Sequence, residues 1–336
     1  MSDDFNLPKR MIVADVGMVH DGSFGNACAL VDMVVDAGAN VVNFQTHFGS
    51  SETTLYAPQP QSLKGESQYR YFERTAFGDT QWTALKRRCD ERGVVFLSSS
   101  FSEAAVDQLE RIGAQIHKVP SGEVTNLFLL ERLAATGKPI VLSSGMSSWI
   151  ELDRAVDVLR QSPRLIVLQC CSVVPCSDKQ VGINVMMEMA ARYGCEVGLS
   201  DCTHGIAAGV AAATLGATLI EKHATFSRAL HGGSLGHSME PAQLREYCEN
   251  LESVWAMLDN SVDKDNLTAC AELKSTFQKS LVSAHDLYRG LVLGREHLAA
   301  KRPGSGISTF EIDKVLGRRL KFDILPDTLI SWDMLE

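Results

Sequence analysis

Between residues 11 and 225, eight short runs rich in β-branched and aliphatic residues recur, each followed by a longer amphipathic stretch. This alternation restricts the chain to very few folds. The strand candidates are 11–17, 40–46, 94–99, 115–121, 139–145, 165–172, 196–201 and 218–225. Helical periodicity marks 24–37, 81–92, 102–112, 127–136, 148–161, 184–193, 206–215 and 241–257. Several of these helices run into a glycine just before the next strand, as at Gly38, Gly93, Gly113, Gly137, Gly194 and Gly216, where glycine serves as a helix stop. Near-continuous apolar strands in β–α units predict a parallel sheet covered by helices. The number of units favours closure into a (β/α)8 TIM barrel over an open doubly wound sheet. No Gly-x-Gly-x-x-Gly loop follows the first strand, so a nucleotide-binding Rossmann fold has little support.

A length of 336 residues suits such a barrel plus a small appendage. We expect the barrel over 1–258, a polar linker rich in Asn, Asp and Lys over 259–278, and a compact Gly-rich unit over 279–336. The net charge of −9 gives no general attraction for nucleic acid or an anionic membrane surface. Any phosphate must meet locally placed donors. The nine cysteines are scattered without a CxxC pair and mostly sit in apolar surroundings, as in a reducing compartment. The N-terminus is acidic and lacks an apolar signal-like stretch, and no long apolar run appears. A cytoplasmic location is expected.

In a barrel the chemistry gathers where the strands end, and here nearly every strand ends in polar residues. In strand order these are Asp15 with His20, Gln45, Ser98 with Ser99, and Lys118 with Ser121 and Glu123. There follow Ser143 with Ser144, Ser172, Ser200 with Asp201 and Cys202, and Glu221 with Lys222 and His223. Lys118 among these serines resembles a phosphate cradle, and the Ser143-Ser144-Gly145 turn leads into a helix whose first amides favour an anion. The competing reading of Lys118 is a structural ion pair with Glu123 or Glu221. Cys202 and His223 on neighbouring strands suit a transition metal with open positions, although buried thiols and imidazoles are common without one. Arg302 gains meaning only if its Gly-rich loop reaches a barrel mouth.

At these motifs the chain resembles the sialic acid synthase (N-acetylneuraminate synthase) family, which includes legionaminate, pseudaminate and spore-coat-polysaccharide enzymes. The resemblance runs from Ile12 to about Ile330. Its strongest stretches are Lys118-Val119-Pro120-Ser121-Gly122-Glu123, Leu142-Ser143-Ser144-Gly145-Met146, Ile220-Glu221-Lys222-His223 and Lys301-Arg302-Pro303-Gly304-Ser305-Gly306. It implies a C-terminal antifreeze-like (SAF) domain. It also implies condensation of phosphoenolpyruvate with an N-acetylhexosamine-type aldehyde, releasing phosphate and leaving a nonulosonic acid. By that resemblance Lys118, Ser99, Ser121, Ser143 and Ser200 line the phosphate and Gln45 the carboxylate. Asp15, Glu123 and Glu221 act beside Lys118 on sugar, water or metal. Cys202 and His223 bind a divalent metal (manganese or magnesium). Arg302, from the partner in a domain-swapped homodimer, and Ser234 contact the sugar.

Several positions depart from the family pattern. Asn43 stands where the family has a lysine facing phosphoenolpyruvate, a loss worth about 1.5–3 kcal/mol for a charged hydrogen bond. Asp15 replaces a glutamate, Ser234 an aspartate, and Ser172 and Val174 an asparagine and a tyrosine. Cys202 replaces a histidine, which softens the ligand set and shifts preference toward zinc; His204, His231 and His237 are candidate replacement ligands. Two other readings follow: a Schiff-base aldolase or lyase using Lys118 or Lys222, and a sugar- or phosphate-binding paralogue with altered catalysis.

Overall fold

The computed structural model describes residues 5–57, 65–173, 176–230 and 235–336. Eight parallel strands close into a barrel in sequence order: β1 (Met11–Gly17), β2 (Val41–Thr46), β3 (Val95–Ser100), β4 (His117–Val119), β5 (Ile140–Ser143), β6 (Leu165–Cys170), β7 (Glu196–Asp201) and β8 (Leu219–His223). Their covering helices are α1 (Phe24–Asp36), α4 (Asp79–Arg92), α5 (Glu103–Arg111), α6 (Leu127–Ala134), α7 (Trp149–Leu159), α8 (Ile183–Tyr193), α9 (Ala207–Thr214) and α10 (Pro241–Asp259). Short polar residues start these helices: the Ser23, Ser102 and Ser148 hydroxyls and the Asn126 side-chain carbonyl accept first-turn amide protons.

The expected elements are present, with ends shifted by a few residues. The fourth strand stops at Val119 rather than at residue 121. Pro120 has no amide hydrogen to extend the ladder, and Ser121–Glu123 turns into a 3-10 helix. Two helices between the second strand and the third escape the sequence reading: α2 (Gly49–Glu52) and α3 (Gln68–Thr75). They are too short or too polar to show a clear apolar period.

Strand alternation sorts the wall into two faces. Met11, Val13, Val41, Leu97, Ile116, Val141, Ile166, Leu168 and Leu219 fill the interior as one buried cluster. Ile12, Ala14, Val42, Phe44, Phe96, Leu142 and Ile220 face the helices in a second. The outer face also holds a buried polar group. Lys222 Nζ lies 3.0 Å from Asp201 Oδ2 and donates to the Thr203 carbonyl at 2.6 Å. The Tyr247 hydroxyl on α10 donates to Asp201 at 2.8 Å. Gly209 on α9 is required there, because a Cβ would sit 2.1 Å from the Tyr247 oxygen.

Residues 261–336 form a second compact unit. The stretch expected as a linker contributes α11 (Ala271–Phe277) to it. An antiparallel pair, β9 (Ser280–Ser283) and β10 (Leu298–Lys301), and the short α12 (Ile312–Val315) surround a core that includes Leu281, Leu293, Ile307, Val315 and Ile330. The Ser280 hydroxyl donates to the Pro303 carbonyl at 2.8 Å and accepts from the Gly306 amide at 2.9 Å, which holds the Gly-rich loop to β9. All nine cysteines are free thiols. Among the described residues no helix is long and apolar enough to cross a membrane.

Replacing Lys222 by methionine should leave the Asp201 carboxylate buried without its cation, at a cost of about 3–5 kcal/mol. Urea denaturation measures this, and the added change Asp201→Asn should restore part of the loss.

Candidate active site

The register decides which polar residues meet. Around the ring Cys170 pairs with Ser200 and Ser200 with Glu221. His223 pairs with Asp15, and Asp15 with Asn43. Gln45 pairs with Ser99 and Ser99 with Lys118. Paired residues on parallel strands share a face, so these side chains converge on the inner wall at the C-terminal mouth.

At its centre Lys118 Nζ donates to Glu221 Oε2 at 2.5 Å and lies 3.6 Å from Asp15 Oδ2. Burial alone would lower the lysine pKa. The Glu221 and Asp15 charges outweigh it and hold the ammonium above its ordinary value. Glu221 also accepts from Ser200 Oγ at 2.9 Å. The structural pairing weighed for Lys118 is therefore present, with Glu221 rather than Glu123. Asn43 Nδ2 donates to Ser99 Oγ at 3.2 Å. Ser143 is buried on the same wall, and Ser121 Oγ accepts the Gly145 amide at 3.1 Å.

Glu123 is half-buried on the turn after β4 and accepts from Asn126 Nδ2 at 2.7 Å. Burial raises its carboxyl pKa despite that bond, and the nearby Glu52 carboxylate adds to the rise. Glu52 belongs to a group that the sequence reading missed. His47 Nδ1 lies 2.6 Å from Glu52 Oε2 and Nε2 lies 3.2 Å from Gln45 Oε1. The imidazole is stacked between Phe72 and Phe101, with centroids 3.8 and 4.0 Å away. A histidine two residues past Gln45 was the only signal. The clamp holds Gln45 at the mouth, where Gly17, at φ 44°, leaves the amide room that a Cβ at 3.2 Å would take.

Several of the polar strand-end residues face away from the mouth. His20 stacks on Phe77 at 4.4 Å and accepts the Gly22 amide at Nδ1; burial lowers its pKa to about 4, and its place is in the helix layer's aromatic packing. Ser98 faces outward and shares a hydrogen bond with Thr46 at 2.8 Å. Asp201 and Lys222 form the outer-face pair. Lys222 is wholly enclosed, so it is out of reach of a carbonyl substrate, although burial lowers its pKa. Lys118 is held as an ammonium, which also weakens the Schiff-base reading. Arg302 is exposed in the second unit, where Nε donates to the Phe277 carbonyl at 3.1 Å. Ser234, Val174 and His231 lie outside the described residues.

Cys202, His223 and His237 each offer one ligand atom, all within 4.8 Å of one another. Burial raises the Cys202 thiol to about 12, helped by the nearby Cys170 and by Glu221. Burial lowers His237 to about 4, with His223 next in effect. His237 Nε2 and Asp15 Oδ1 are buried without a hydrogen-bond partner among the described residues, and Asp15 Oδ1 lies 3.9 Å from His223 Nδ1. A neutral imidazole, a latent thiolate and a free carboxylate oxygen fit a divalent cation.

Fold and site together define a TIM barrel with a polar, carboxylate-rich mouth and an appended SAF domain, whose family model matches residues 278–336. Residues 30–263 match the NeuB family, and the chain belongs to that family. It is 29% identical to the N,N'-diacetyllegionaminic acid synthase of Campylobacter jejuni, over 96% of this chain and 99% of that one. It is 27% identical to the human N-acetylneuraminate-9-phosphate synthase, over 97% and 92%. The crystal structure of the N-acetylneuraminic acid synthetase of Leptospira borgpetersenii in complex with citrate superposes with a TM-score of 0.68 at 26% identity. It covers 80% of this chain and 93% of that one.

At pH 8 a thiol whose pKa is about 12 is ionised in about one molecule in ten thousand, and only the thiolate alkylates. Mass-mapped alkylation should therefore label the exposed Cys270 well before Cys202.

Proposed function

We propose that this chain joins carbon 3 of phosphoenolpyruvate to the carbonyl carbon of an open-chain N-acetylhexosamine-type aldehyde. Water adds to the resulting cationic carbon 2, and phosphate leaves with cleavage of its C–O bond. The products are a nonulosonic acid and inorganic phosphate. Membership of a family whose relatives are synthases of such acids supports this reading. The observation that carries it is the convergence of Lys118, Gln45, Ser99, Ser143, Ser200 and two carboxylates on one barrel mouth.

In this reading Lys118 and the serines, with Ser121, hold the phosphate, and the clamped Gln45 orients the carboxylate. Asn43 supplies a neutral amide where a second cation would help, so the anion depends on Lys118. The carboxyl of Glu123, whose pKa burial raises, is placed to hold or release a proton at the acceptor or the attacking water. Glu221 and Asp15 keep Lys118 charged. Cys202 and His223 would hold a divalent metal, which as a Lewis acid would polarise the aldehyde oxygen. A domain-swapped homodimer would bring Arg302 of a second copy to the sugar, and Ser234 would be a further sugar contact. Synthesis of this kind would belong to cytoplasmic carbohydrate biosynthesis.

Incubation with phosphoenolpyruvate, a divalent metal and a panel of N-acetylated amino sugars should release phosphate only when an aldehyde acceptor is present. Oxygen-18 in the bridging position of phosphoenolpyruvate should appear in that phosphate. Lys118→Met should lower turnover by about 100-fold or more, with circular dichroism confirming a folded barrel. Absence of phosphate release with every acceptor sugar would refute the condensation.

A further inference from the structure

We infer that His237 completes a three-ligand protein centre with Cys202 and His223, built for a thiophilic divalent ion of the zinc class that stays bound without substrate. The inference deepens the metal part of the proposed function but stands on these side chains alone. Their ligand atoms lie within 4.8 Å of one another. Tetrahedral bonds of about 2.0–2.3 Å place neighbouring ligand atoms about 3.3–3.8 Å apart, so a contraction of at most about 1.5 Å closes the set.

The backbone holds the third ligand in place. His237 ends a short 3-10 turn, Leu235–His237. Just beyond it the Met239 amide donates to the His223 carbonyl at 2.8 Å, and the Thr225 amide donates to the Met239 carbonyl at 3.0 Å. These bonds tie the segment alongside the end of β8, with the two imidazoles edge to face at 4.7 Å. His237 is 5% exposed, and its Nε2 has no hydrogen-bond partner among the described residues. So placed, the ring has the burial and free nitrogen of a ligand.

The donor set decides the ion. One sulfur and two imidazole nitrogens favour zinc or cobalt over manganese and magnesium, which prefer oxygen. Three protein ligands leave a position open, as in catalytic rather than structural zinc sites. The side chain of His223 is 19% exposed, so the group is not sealed from solvent. On binding, the Cys202 thiol releases its proton to solvent and sulfur donates an electron pair to the ion. The free Asp15 oxygen then lies beside a positive centre.

Full-length protein stripped with a chelator is titrated with cobalt(II) in the absence of substrate. The expected result is one ion per chain, with visible bands of low-coordinate cobalt and a near-ultraviolet thiolate-to-cobalt band, all bleached by zinc and not by manganese. Cys202→Ser should abolish the thiolate band. His237→Ala should weaken binding by at least the about 10–100-fold that follows loss of a mere outer-shell partner. His237→Gln repeats the test if the alanine variant misfolds by circular dichroism. A wild-type spectrum without the thiolate band, a His237 variant with wild-type affinity and spectrum, or displacement by manganese would overturn the inference. Cobalt bound in the expected manner without phosphate release would refute the condensation and leave the centre standing; the reverse result would do the opposite.

Discussion

Closure of the parallel ring between β8 and β1 is the constraint on which the site depends. It sets His223 opposite Asp15 and Glu221 opposite Val13. Because side chains alternate between faces, a slip of one residue would send Glu221 and His223 into the helix layer and bring Lys222 inward. The apolar cluster filling the lower barrel opposes such a slip, since Leu219 would leave it and abandon its place beside Met11 and Val13. Each buried aliphatic side chain contributes about 1.5–3 kcal/mol to folding. The apolar filling of the lower barrel thus enforces the positions of the chemistry at its mouth.

The electrostatics of that mouth follow from having one buried ammonium for two buried carboxylates. Desolvation opposes all three charges. The 2.5 Å contact of Lys118 with Glu221 and the 3.6 Å approach of Asp15 tip the balance toward the ionised lysine. One Asp15 oxygen has no hydrogen-bond partner among the described residues, and with two carboxylates against one ammonium the inner wall is left negative. An incoming anion is received by a single cation and a set of hydroxyl and amide donors rather than by a positive field. A cation placed among Cys202, His223 and His237 would relieve the remaining negative charge.

Two lysines of similar chemistry have opposite fates within this wall. Lys118 faces inward at the mouth, and Lys222 faces outward beneath α10, enclosed with Asp201 and Tyr247. The outer group ties β7 and β8 to α10 through charge-assisted hydrogen bonds. The inner one keeps a charge available where the barrel opens.

Much of the fold was legible in the chain itself. Local periodicity marks strands and helices because side-chain spacing reports backbone geometry. The eight β–α units, their glycine stops and the polar strand ends could all be found without coordinates. So could Cys202, just beyond the end of β7, and His223, at the end of β8. Tertiary structure alone decided who meets whom. The Glu221 partner of Lys118 lies 103 residues away, and no local pattern encodes that pairing. His237 sits in an aperiodic segment and reaches its place only through backbone bonds to β8. The His47 and Glu52 clamp rests on helices too short to show a repeat. Sequence alternation says that neighbours face opposite ways, but which way is inward is settled only when the ring closes.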